Sequence, residues 1–67
     1  MKLIDLLGVL RQNDEIVIKH MLCSMDSQHY LYRNTVKECL RCPCFPYYHR
    51  TVYKVMANGS TIIIQIF

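Results

Sequence analysis

Apolar residues recur along the chain in three different rhythms. Leu3, Leu6, Leu7 and Leu10 follow the three-to-four spacing of one helix face, with Lys2, Asp5 and Arg11 on the other side. This predicts a short amphipathic helix, weakened by Gly8 and ended by Gln12, Asn13 and Asp14. Residues 15–19 then alternate, with Ile16 and Ile18 on one face and Glu15, Val17 and Lys19 on the other, which predicts a strand. Ser24, Asp26 and Ser27 mark a loop, after which residues 29–33 read as a second strand with Tyr30 and Tyr32 sharing a face.

Thr35 and Glu38 have the spacing of a capping box, in which a hydroxyl and a carboxylate each bond the other residue's backbone N–H, so a helical turn is expected to begin there. Pro43 disfavours helical angles in the residue before it and stops the turn by Cys42. Residues 44–49 read as irregular. The last seventeen residues, 51–67, are rich in β-branched and aromatic residues around Asn58 and Gly59, the dipeptide suited to a two-residue type I′ turn. With that loop, Val55 faces Ile62, Tyr53 faces Ile64 and Thr51 faces Ile66, while Met56, Lys54 and Val52 line a mixed second face. Burying one isoleucine contributes roughly 1.5–3 kcal/mol, so Ile62, Ile64 and Ile66 are the expected anchor of the fold.

These elements predict one α+β domain covering residues 1–67. Its expected form is a small antiparallel sheet in the order α-β-β-α-β-β, ending in a β-hairpin. Chains this short rarely gain more than a few kcal/mol from their own core, so association into a homo-oligomer is expected. Sheet edges guarded only by Lys19 and Lys54 point the same way.

The formal charge of +3 is uneven. Residues 1–32 carry three cations against four acids, net −1, whereas residues 33–54 carry five cations against Glu38 alone, net +4. That balance favours an anionic partner. No apolar run is long enough to span a bilayer and no secretory leader pattern opens the chain, which predicts a cytoplasmic protein in the host cell with no membrane partner.

In a reducing compartment Cys23, Cys39, Cys42 and Cys44 are expected as thiols or metal ligands. Cys39, Cys42 and Cys44 with His49 form the one candidate zinc knuckle, although a strong zinc signal has two separated ligand pairs. The alternative is that these cysteines serve as small buried hydrophobes, with no cofactor. No glycine-rich phosphate loop or paired carboxylates occur, and nothing in the sequence sets His20, His29 or His49 beside a cysteine nucleophile, so no enzyme is expected. The candidate binding residues are Tyr30, Tyr32, Arg33, Arg41, Tyr47, Tyr48, His49 and Arg50, which combine rings that stack with cations that meet phosphate or carboxylate.

MKLIDLL with the acidic turn and EIVI, then YLYRNTVKE, YYHRTVYKV and STIIIQI, resembles a group of small bacteriophage and prophage proteins from Gram-positive hosts. The cysteine-rich stretch 39–44 departs from that pattern, where an ordinary helix and loop stand. The resemblance implies a phage accessory protein without catalytic residues, which disables a host process by binding. It does so either by sequestering a nucleotide immune signal or by blocking a defence protein, as anti-CRISPR proteins do. A nucleic-acid-binding or zinc-knuckle regulator and a phage structural component are the other classes that fit.

Overall fold

The computed structural model describes residues 1–24, 28–42 and 45–67. The elements run α1 (Leu3–Leu7), β1 (Glu15–His20), β2 (Tyr32–Thr35), α2 (Val36–Leu40), β3 (Val52–Asn58) and β4 (Thr61–Ile66). The fold is α+β in the expected order. Its sheet has the strand order β2-β1-β4-β3.

One feature of the sheet departs from the antiparallel expectation. Both hairpins are antiparallel, but β1 and β4 lie side by side in parallel, Ile16 beside Ile62 and Ile18 beside Ile64. The reason lies in the connection. The chain leaves β2 at one edge and returns through α2, entering β3 at the other edge in the direction of β2, so β4 must run with β1. The two inner strands carry runs of β-branched residues at 16–18 and 62–64, as befits strands buried on both faces.

One face of the sheet carries Ile16, Ile18, Ile64 and Ile66, all fully buried under Leu3 and Leu7 of α1, Val36 and Cys39 of α2, and Phe45. On the opposite face Val17, Lys19, Ile63 and Gln65 are also buried. There Gln65 Nε2 donates to the Cys23 carbonyl at 2.7 Å and Lys19 Nζ to the Ser24 carbonyl at 3.3 Å, so the chain after β1 folds back across this end of the sheet. Ser24, Asp26 and Ser27 were the expected loop; residues 25–27 lie outside the described residues.

Neither five-residue helix has enough length to satisfy its own ends, since the first amides of any helix lack partners within it. Other segments supply them. The Leu3 and Ile4 amides of α1 donate to the Arg50 and Tyr48 carbonyls, each at 2.9 Å. The Val36 and Lys37 amides of α2 donate to the Asp14 and Gln12 carbonyls at 3.0 and 2.9 Å. Thr35 Oγ1 accepts from the Glu38 amide at 3.2 Å, the expected cap, while the Thr35 amide turns to Asn34 Oδ1 at 2.8 Å instead of the Glu38 side chain. α2 ends at Leu40, inside the limit set by Pro43; α1 ends at Leu7, earlier than the leucine spacing implies, with Gly8 as its cap.

The second hairpin turns one residue later than expected. Asn58 pairs with Thr61, Ala57 with Ile62 and Val55 with Ile64, leaving Gly59 and Ser60 as the loop. Gly59 alone adopts a positive φ, 63°, among the described residues, as a type II′ turn requires and a type I′ turn, needing it at two positions, does not. An irregularity between Val52 and Lys54 then realigns the strands so that Val52 meets Ile66. The later turn takes Tyr53 and Thr51 off Ile64 and Ile66, and the bulge then sets Val52 rather than Tyr53 opposite Ile66, on the core side.

Candidate functional site

The expected binding residues divide between the core and scattered exposed positions. Tyr32 lies on the core face and meets the Phe45 ring edge-on, with centroids 5.2 Å apart; Arg33, the next residue along β2, projects from the opposite face. There its Nε lies 3.3 Å from Glu15 Oε1, which also accepts from Thr61 Oγ1 at 3.3 Å. Arg41 caps α2 and pairs loosely with Glu38 at 3.7 Å. Tyr30 is exposed, as are His49 and Arg50 at the turn before β3.

Tyr47 and Tyr48 join Tyr32 around Phe45, with ring centroids 5.3 and 5.0 Å from it, both edge-on. Such pairings add roughly 0.5–1.5 kcal/mol each beyond area burial. The Tyr48 hydroxyl donates to the Cys39 carbonyl and lies 3.0 Å from the Cys42 carbonyl, so it satisfies the free end of α2. Burial holds the Tyr32 and Tyr48 hydroxyls above the usual phenol range, with the neighbouring Cys39 thiol adding to the effect. Three of the eight expected residues therefore build the structure around a ring, Phe45, that sequence reasoning missed. A phenylalanine in an irregular stretch followed by two tyrosines is the signal that identifies it.

Two of the described cysteines pack in or against the core. Cys39 is fully buried and Cys42 half-buried, and burial together with the neighbouring Cys42 pushes the Cys39 thiol up to about 11. Cys39, Cys42 and His49 do not come together as a ligand group among the described residues, and Cys44, the remaining member of the expected knuckle, lies outside them. His20 Nδ1 accepts from the Leu22 amide at 3.2 Å and so supports the turn that leaves β1.

The outer edge of β3 is open among the described residues. Its residues are exposed from Tyr53 onward, with Tyr53 at 50%, Val55 at 46% and Met56 at 40%. The Tyr53 ring sits edge-on against Phe67, which is 43% exposed, with centroids 5.1 Å apart. Residues before the bulge are paired: Lys2 bridges Thr51, and the Val52 amide donates to the Met1 carbonyl at 2.8 Å. Beyond it, residues 53–58 are bordered among the described residues by β4 on one side only. Comparison with protein-family models, curated proteins and solved structures finds no match, so the chemistry of this edge is read from its own geometry.

Proposed function

We propose that the chain is a non-enzymatic binding protein, an accessory protein of the kind its phage resemblance implies, which acts by blocking a host defence protein. The observation that carries this reading is the contrast between a spent and an unspent set of rings. Tyr32, Tyr47 and Tyr48 are engaged with Phe45, so the stacking platform that a nucleotide base needs is largely consumed in the core. Tyr53, Val55, Met56 and Phe67 remain 40–50% exposed, and aromatic and methionine side chains are enriched at protein interfaces.

The test is expression in a Gram-positive host that carries defined defence systems. Loss of protection by one system, together with co-purification of a component of that system, is the expected result. A rise in melting temperature on adding a cyclic nucleotide would instead overturn the blocking mechanism in favour of sequestering, because a ligand that binds only the folded state raises its stability by mass action.

A further inference from the structure

We infer that the outer edge of β3 is a docking strand for an extended, acidic segment of a partner protein, which adds to the sheet beside residues 53–58. This rests on the reading of the chain as a binding protein and names how it binds. Three observations converge on the same stretch.

The first is the edge itself. The N-terminal residues occupy its beginning, through the Lys2–Thr51 bridge and the Val52 amide, and the bulge at Tyr53 closes that pairing off. What remains is a strand end long enough for main-chain hydrogen bonding to an incoming peptide, the means by which strand addition gives affinity. The second is the apolar character of its side chains. Val55 and Ala57 lie on the core side of the sheet and Met56 on the other, with the Tyr53–Phe67 ring pair at the bulged end. Alternate residues of an added strand would rest against these groups.

The third is charge, and it selects the partner. Lys54 lies on β3, and Lys2 and Arg50 flank its start, none of them in an ion pair among the described residues, whereas Arg33 and Arg41 have carboxylate partners. Residues 39–67 contain no Asp or Glu at all. A second copy of β3 would bring another lysine and no carboxylate, leaving these cations uncompensated; a lysine on an open edge is a known guard against such self-pairing. A peptide alternating carboxylate and apolar residues would set an acid beside Lys54 and apolar groups beside Val55 and Ala57.

The experiment titrates the full chain with two short synthetic peptides, one alternating valine and glutamate, the other valine and lysine, read by fluorescence anisotropy and backbone amide shifts. The glutamate peptide is expected to bind, to shift and protect amides within residues 53–58, to weaken with salt, and to lose about tenfold or more in affinity with Lys54→Glu. Lys54→Gln should fall between. Equal binding of both peptides, binding by neither, or shifts confined to another surface would overturn the proposal. So would a dimer in which residues 53–58 are protected without peptide. A host target that still co-purifies with Lys54→Glu would defeat the edge while sparing the binding-protein reading; a chain that impairs no defence system would defeat that reading whatever the peptides do.

Discussion

β3 and β4 are joined by two residues and are both mostly apolar, yet they meet opposite fates. β4 has β1 on one side and β3 on the other, and Ile63, Ile64 and Ile66 are buried. Among the described residues β3 has a neighbouring strand on one side only, and Val55 stays 46% exposed although it is paired directly with the fully buried Ile64. Position in the sheet, more than apolar content, decides which side chains stabilise the fold and which are left for another molecule. The same division separates the closed side, around Phe45, from the open edge.

The contrast breaks most readily by truncation. Ile64→Ala should cost about 2–5 kcal/mol in urea unfolding, because a buried side chain leaves a cavity. Val55→Ala, its exposed partner, should cost under about 1 kcal/mol; similar costs for the two would show that the edge is covered. Gly59→Ala tests the joint between the strands. A Cβ there meets nothing within 4 Å, so the expected loss of about 1–2 kcal/mol comes from the left-handed backbone alone.

On the closed side, Tyr48→Phe should cost about 1 kcal/mol by removing the donor to the Cys39 and Cys42 carbonyls. The Cys39 thiol makes that side sensitive to alkali. Its folded pKa of about 11 lies above the ordinary 9.0, so the protonated form is favoured by folding. Stability should be level below about pH 9 and fall as pH rises toward 11, with Tyr32 and Tyr48 acting in the same direction. Cys39→Ala should flatten the early part of that decline in thermal unfolding followed against pH. Smallest of all, Arg33→Ala should change stability by no more than about 0.5 kcal/mol, since its ion pair with Glu15 is exposed on both sides.

The inward face of β4, the alternation of β1, the Thr35 cap and the order of elements were legible because each rests on a local rule: period two, or a hydroxyl three residues from an amide. What escaped was set at long range. The parallel pairing of β1 with β4 depends on where α2 delivers the chain. Asn58-Gly59 and Gly59-Ser60 are both sound turn dipeptides, and the bulge at Tyr53 with the pairing of Val52 and Ile66 goes with the second. The binding residues were hardest, for Tyr and Arg look alike in sequence whether they fill a core or face a partner. Phe45 drew three tyrosines inward, and alternation along β2 sent Arg33 away from Tyr32.

The borrowed carbonyls at the start of both helices carry a consequence for how the chain acquires its shape. Peptides this brief are coil when excised, since a helix nucleus is costly and needs roughly a dozen residues to recover that cost. Here each nucleus waits on a distant partner: α1 on the Tyr48 and Arg50 carbonyls, α2 on those of Gln12 and Asp14. Helical circular dichroism should therefore appear together with sheet formation, in one kinetic step, with no early helical phase preceding it.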